Sequence, residues 1–445
     1  MNGKSSKPAS PSLPGGLSVR DAQACILGKT APLGAEDIAL ERALGRVLAA
    51  DVRADRDLPP HDISAMDGYA VCAADTADAP ARLKIVDDIR AGDTPRVTLQ
   101  RGQCARIMTG APVPAGADTV VRVEDTRPGP DDAVDILIPV RAATDIRRRA
   151  ENMRRGEIVL AAGTGIGPGT VGALATAKQA TVAVHRQPRV AILSSGNELE
   201  ALREPFDPGK IPDANTYALM AQVQAQGVEP DLLGIARDDP AELSGFLERG
   251  LGYDILLVSG GASVGVHDHV RPTLAALGVA MHFWRVEMRP GHPVAFGTRG
   301  RCFVFCLPGN PVSSMVCFEQ FVLPALRALA GHRRLFRRTL PARLTHAVES
   351  RPGRIEFMRV TLARDASGIY EAASAGSQSS GDMLSMARAD GLLIVPSASK
   401  GLAAGETARV QLLETGAYQD EAELGDEPCS QKDVHRASLH DTIGP

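Results

Sequence analysis

A chain of 445 residues is long enough for about two to four domains and for more than one hydrophobic core. Its 44% hydrophobic and 23% charged residues are ordinary globular composition. A formal charge of -4 and 4% aromatics supply neither the basic field nor the stacking platforms expected of a protein that binds nucleic acid or an anionic membrane.

No run of about 18 consecutive apolar residues is present, so no membrane span is expected. Seven cysteines (Cys25, Cys72, Cys104, Cys302, Cys306, Cys317 and Cys429) are irregularly spaced and show no zinc pattern. A reduced, intracellular protein is the expectation. The 44 glycines and 31 prolines are spread along the chain and read as many tight turns.

Residues 1–16 are Ser/Pro/Gly-rich without an apolar core, and read as a disordered start rather than a secretory leader. Ser18-Val-Arg-Asp21 reads as a helix start. Ile38, Leu40, Leu44, Val47 and Leu48 recur at helical spacing, so 36–50 is expected to be helical. Between 51 and 148 short β-type runs at 82–86, 104–108, 119–123 and 134–138 predict a small β domain. Residues 168–178 return to helix and are expected to pack back on the first segment.

From 188 strands and helices alternate. Strands are expected at 190–193, 232–235, 255–258, near 281–287 and at 302–306. Helices are expected at 215–226, 240–251, 270–277 and from Asn310 to about 330, the last kinked by Pro324. Mostly apolar strands between helices predict a doubly wound parallel sheet covered on both faces. Runs at 342–345, 357–362, 391–395 and 408–412 predict a small C-terminal barrel or sandwich. The polar stretch after about 416 reads as a disordered tail.

Two strands end alike: one in Ser194-Ser195-Gly196-Asn197-Glu198, the other in Ser259-Gly260-Gly261-Ala262-Ser263-Val264-Gly265. Either reads equally as an ordinary βα turn. Together, at the carboxyl ends of α/β strands, they point to a cradle where backbone N–H groups face an anion. Pro308-Gly309-Asn310-Pro311-Val312-Ser313 pairs a favoured N-cap with proline at the first helical position. That is a cap, an oxyanion site, or both. Arg289-Pro290-Gly291-His292 precedes it with cationic donors. Asp238-Asp239-Pro240 and His267-Asp268-His269 read as caps or solvated turns, or as acids that hold Mg²⁺ beside a phosphate. Ser64-Ala-Met-Asp67-Gly68-Tyr69-Ala70 and Thr109-Gly110-Ala-Pro-Val-Pro114 read as turn chemistry.

Taken in order, these stretches, with 195–199, 237–240, 289–297 and 379–386, resemble the molybdopterin molybdenumtransferase family (MoeA and the E domains of gephyrin and its plant relatives). The resemblance covers roughly 17–415. It implies a multidomain α/β protein: a discontinuous helical domain (17–50 plus 149–187), a β domain (51–148), a central molybdopterin-binding α/β domain (188–331) and a C-terminal β-barrel domain (332–416), flanked by disordered ends (1–16 and 417–445). It also implies a cytoplasmic homodimer that inserts molybdenum from molybdate into adenylylated molybdopterin and releases AMP with Mg²⁺. An upstream adenylyltransferase and recipient molybdoenzymes are the implied partners.

By that resemblance Asp67, Thr109, Glu198, Asp238 and Asp268 are catalytic, with Asp238 and Asp268 on the metal. Asp67 and Thr109 would reach across the dimer. Ser195, Gly260, Gly261, Ser263, Arg289, His292, Pro308, Gly309, Asn310, Pro311 and Ser313 would bind substrate. Arg354, Arg359, Ser379 and Ser380 would bind molybdate. Relatives carry lysines where this chain has Arg289 and His292, and Gly-Glu-Asp where it has Ala150-Glu151-Asn152. Those departures leave open a non-catalytic carrier or scaffold. The central domain alone also resembles an adenylyltransferase.

Overall fold

The structure is a computed structural model that describes residues 16–205, 207–260 and 269–413. The expectations for both termini, and those for Gly261, Ser263 and Asp268, fall outside the described residues.

The central sheet has six strands in the order Asp231–Ala236, Val190–Ser195, Ile255–Ser259, Cys302–Leu307, Ala295–Arg299 and Ala280–Trp284. The first four are parallel. Alternate residues feed two cores. Ile192, Leu257 and Phe305 face one, beneath helices Ala214–Gln224 and Pro311–Cys317. Leu193, Leu256 and Val304 face the other, beneath Pro240–Gly250 and Val270–Ala276. A strand covered on both faces reads as a continuous apolar run, which is why these segments were legible.

The wholly parallel sheet needs correction. Ala295–Arg299 is a strand that periodicity did not reveal, and it runs antiparallel to both neighbours. Only Gly300 and Arg301 separate it from the next strand, and so short a link forces a hairpin. Gly297 hides it further: a Cβ there would stand 2.7 Å from Met281 Sδ.

The helix expected at 36–50 is also absent. Ala35–Ala39 pairs antiparallel with the β-branched strand Thr181–His185, and Leu40–Arg42 is a single 3-10 turn. The ladder offered by 181–185 overrides the helical spacing. Gly45, at φ 79, ends any helix, and Leu44 is 63% exposed. The segments expected as a discontinuous helical domain hold two α-helices, Val19–Leu27 and Pro168–Thr176, beside the strands Ala35–Ala39, Ile158–Leu160 and Thr181–His185. Helix Val19–Leu27, capped by Ser18, packs instead into the sheet's core through Val19, Ala22 and Ile26.

The helix from Asn310 changes its winding just before Pro324. A buried π-helical stretch, Phe318–Val322, joins Pro311–Cys317 to Leu323–Leu329. Pro324 sits in the first turn of the last segment, where a missing N–H costs least. By length and composition Pro311–Leu329 could cross a bilayer, but 83% of it is buried inside the protein, as in a core helix.

The β region forms a six-stranded sheet in which Gly68–Val71 lies between Thr119–Arg122 and Gln103–Ile107. Gly68 permits this pairing, since a Cβ there would stand 1.9 Å from the Val121 carbonyl oxygen. The C-terminal strands close into a barrel: Ile355–Arg364 pairs with both Tyr370–Ser374 and Gly391–Val395. The same strand takes one short parallel partner from the central region, Met288–Arg289.

Candidate active site

The parallel strands end level with one another. Ser194 lies opposite Ser259, Ser259 opposite Leu307, and Ser195 opposite Ala236. Each strand then turns into a loop, so Gly196, Asp238, Gly260 and Pro308 share one edge. Gly260 adopts φ 89, and a Cβ there would stand 2.4 Å from the Ser195 carbonyl oxygen. Its N–H donates to Leu307 O at 3.2 Å. Two strand ends thus meet on a bare backbone that only glycine can supply.

Asn215, unread in the sequence, braces this edge. Its Nδ2 donates to Ser259 Oγ and to Gly309 O, each at 2.7 Å. It is 8% exposed, and its Oδ1 has no partner among the described residues. Beside it Asp213 accepts from Ser194 Oγ, Thr216 Oγ1 and Thr216 N. The pattern Asp213-Ala-Asn-Thr216 at a helix start was the available signal.

The acids occupy the same edge. Asp238 donates its N–H to Asn197 Oδ1 at 3.1 Å, and its carboxylate has no partner among the described residues. Glu198 is exposed, and its carboxylate folds back beside Gly196, where a Cβ would stand 2.6 Å from Oε2. Among the described residues no group of three or more His, Cys, Asp or Glu side chains converges as a metal site.

A second part of the site lies where the barrel meets the sheet. A cleft of about 260 Å³ is lined by Arg289, His292, Ser313, Arg354, Arg359 and Ser380, among others. These belong to four separate stretches of the chain, around 289–292, 313, 354–359 and 380. Arg289 Nη1 donates to Glu356 Oε2 at 3.3 Å, and Arg354 Nε donates to Glu287 Oε2 at 3.0 Å. The two pairs cross: each region gives the other one arginine and one glutamate. Ser350 Oγ also donates to Glu356, at 2.6 Å. Gly291, at φ 100, lets this loop lie on the Asn310 helix, where a Cβ would stand 2.5 Å from Cys317 Sγ.

Arg359 is 1% exposed. Its Nη2 donates to the carbonyls of Ser377 and Ser379, both at 2.9 Å, and its Nε to Ser385 Oγ at 3.2 Å. Among the described residues no carboxylate pairs with it. Burial lowers its pKa from the ordinary arginine value, against the opposing fields of Asp382 and Glu356. A buried, unpaired guanidinium on a cleft wall is a site for an anion.

Three expectations at this cleft change. Asn310 does not cap its helix with its side chain: Nδ2 donates to Ser380 Oγ at 2.8 Å. The Val312 N–H donates to Ser380 O at 3.1 Å, so the 380 loop takes one of the helix-start donors expected to face an oxyanion. Both ring nitrogens of His292, expected to face an oxyanion, are engaged within the protein, one on Val286 O and one on Arg354. The Arg354 contact closes one nitrogen, and the backbone carbonyl the other.

Asp67 and Thr109 form a separate corner. Asp67 Oδ1 accepts from Thr109 N and Thr109 Oγ1, each at 2.7 Å. These bonds hold its carboxyl below the ordinary aspartate range, the backbone N–H first. Both residues are exposed. Within one chain, none of these bonds among the described residues leaves the β region.

Residues 17–177 match the family described as "MoeA N-terminal region (domain I and II)", 191–328 match "Probable molybdopterin binding domain", and 341–413 match "MoeA C-terminal region (domain IV)". The molybdopterin molybdenumtransferase of Nostoc sp. is 37% identical over 406 residues, 88% of this chain and 93% of that protein. This chain belongs to the molybdopterin molybdenumtransferase (MoeA) family. Another relative, molybdopterin molybdenumtransferase 2 of Mycobacterium tuberculosis, is 36% identical over 84% of this chain and 94% of its own length. The crystal structure of the molybdopterin biosynthesis MoeA protein from Pyrococcus horikoshii superposes with a TM-score of 0.76 at 30% identity, covering 89% of this chain and 99% of that one. The MoeA family membership spans the sheet edge, the cleft and the β-region corner alike.

Proposed function

We propose that this protein transfers molybdenum from molybdate to adenylylated molybdopterin and releases AMP, as a step of molybdenum cofactor biosynthesis. The observation that carries the reading is the cleft where Arg289, Arg354 and Arg359 converge beside the glycine edge. Guanidinium groups there suit a small tetrahedral oxyanion, with Ser379 and Ser380 on the loop that Arg359 holds. The Ser195, Gly260 and Gly309 backbone suits the phosphates of the nucleotide-bearing pterin, whose dithiolene would then face the oxyanion.

Mg²⁺ fits the acids that are present. That ion commonly takes one or two carboxylates together with substrate phosphates and water. Asp238 is a carboxylate with no partner among the described residues, at the phosphate edge, and Asp268 is the second acid in this proposal. The ion would offset charge developing at the phosphoryl group. Glu198 follows Asn197, which accepts from the Asp238 N–H, and is the candidate proton carrier in this reading.

The reading extends to a cytoplasmic homodimer. The Asp67–Thr109 corner finds no ligand-facing partner within its own β region, and it would complete the cleft of the partner subunit. The division into 17–50 plus 149–187, 51–148, 188–331 and 332–416 is part of the same proposal, with Val19–Leu27 seated on the sheet. A carrier or scaffold without turnover is not favoured by the relatives, which are named as transferases over most of their length. The test is purified protein with adenylylated molybdopterin, Mg²⁺ and molybdate. The expected result is molybdate-dependent AMP release, and its absence would sink the proposal.

A further inference from the structure

His292 is gripped by two neighbours of opposite kind. Its Nδ1 lies 2.8 Å from the Val286 carbonyl oxygen, and its Nε2 lies 3.1 Å from Nη2 of Arg354. A carbonyl oxygen only accepts and a guanidinium only donates. Nδ1 must therefore carry the proton while Nε2 offers a lone pair, and the neutral Nδ1–H tautomer alone makes both bonds. Arg354 is fixed on its other side by Glu287, 3.0 Å from Nε. Two groups of the sheet domain thus hold one guanidinium of the barrel. The remaining Arg354 donors have no partner among the described residues, and Arg354 lines the cleft.

The other charges lining the cleft are Arg289 and Glu356, which are bonded to each other, and the buried Arg359, which is held by serine oxygens. No acid other than Glu287 pairs with Arg354 among the described residues. Among the described residues the imidazole lone pair is the one partner of Nη2, and together with the Glu287 bond at Nε it sets the plane of the fork. A planar fork recognises an oxyanion only when that plane is set.

Resting on the oxyanion site proposed above, we infer that His292 is a positioning residue for Arg354 and not itself an oxyanion ligand. It acts as an acceptor that aims a cation. An additional cation at position 292 then weakens the anion site, because an ammonium there would put donor against donor.

The test uses the full chain and its H292K, H292Q, R354A and H292K/R354A variants. KM for molybdate, KM for adenylylated molybdopterin and kcat are measured separately. H292K is expected to raise KM for molybdate about tenfold, the scale of one lost charge-assisted hydrogen bond, with the other two constants within about twofold. Glutamine keeps a donor and an acceptor, so H292Q stays within about threefold of wild type. In the R354A background H292K adds less than about twofold, because its effect runs through Arg354. A fall in the molybdate KM of H292K, or additivity of the two substitutions, overturns the inference.

A second measurement is independent of turnover and of the variants' folding. Nitrogen-15 NMR of histidine-labelled wild-type protein is expected to show a His292 ring with a proton on Nδ1 and none on Nε2. A protonated Nε2 overturns the inference. Wild-type protein with no molybdate-dependent turnover fails the proposed function, and the tautomer measurement separates that failure from a failure of the His292–Arg354 geometry.

Discussion

The two halves of the candidate site are built from different materials. The glycine edge is made of backbone, and its shape is fixed by the level ends of parallel strands and by the absence of a Cβ at Gly260. The arginine cleft is made of long side chains, Arg289 and Arg354 held by acids from across the seam and Arg359 by serine oxygens. A backbone site is rigid and tolerates no added atom. A side-chain site can be retuned one residue at a time. The departures Arg289 and His292 both fall in the second kind.

That contrast makes predictions of decreasing size. G260A should be the most damaging. It places a Cβ 2.4 Å from a carbonyl oxygen at a φ of 89, so it should cost at least about 2 kcal/mol of stability and about 100-fold in AMP release. Urea unfolding and single-turnover assays would show it, and a variant with wild-type stability would break the contrast. R359A comes next, removing a buried cation and leaving the Ser377 and Ser379 carbonyls without their donor. KM for molybdate should rise about 30-fold, with a stability loss of about 2–3 kcal/mol.

E356Q should act gently. It releases Arg289 from a partly exposed ion pair, and such pairs contribute at most about 1 kcal/mol. With an acid no longer competing for Arg289, KM for molybdate should fall about twofold. A large rise would mean that the crossed pairs set geometry rather than merely occupy the arginine.

The smallest effect concerns the Asp67 corner. Its carboxyl is held below the usual range, so its contribution to stability is present above ordinary aspartate pKa values and is lost as acid titrates the folded-state group. T109V removes the hydroxyl donor but keeps the backbone N–H. The Asp67 pKa should move up towards the ordinary range, and carbon-detected NMR titration would read it. An unchanged titration would leave the backbone N–H as the sole cause.

The contrast also explains what was legible in the sequence. Strands buried on both faces carry their pattern in consecutive residues, so 190–195, 255–259 and 302–307 could be read directly. The short strand 295–299, interrupted by Gly297, and the strand 35–39 could not, because distant partners make them strands. Gly260 was readable because a glycine after a strand has a local meaning. Glu287 and Glu356 were invisible, since each meets its arginine across 67 residues of chain. Asn310 shows the limit most clearly. Its position in the chain predicts a cap, and its side chain instead reaches Ser380, 70 residues on.

The short parallel pairing of Met288–Arg289 with Ile355–Glu356 joins the barrel to the sheet at the cleft itself. Rotating the barrel away from the sheet would stretch Arg289–Glu356 and Arg354–Glu287 together. The walls of the cleft and the seam between barrel and sheet are therefore held by the same two ion pairs.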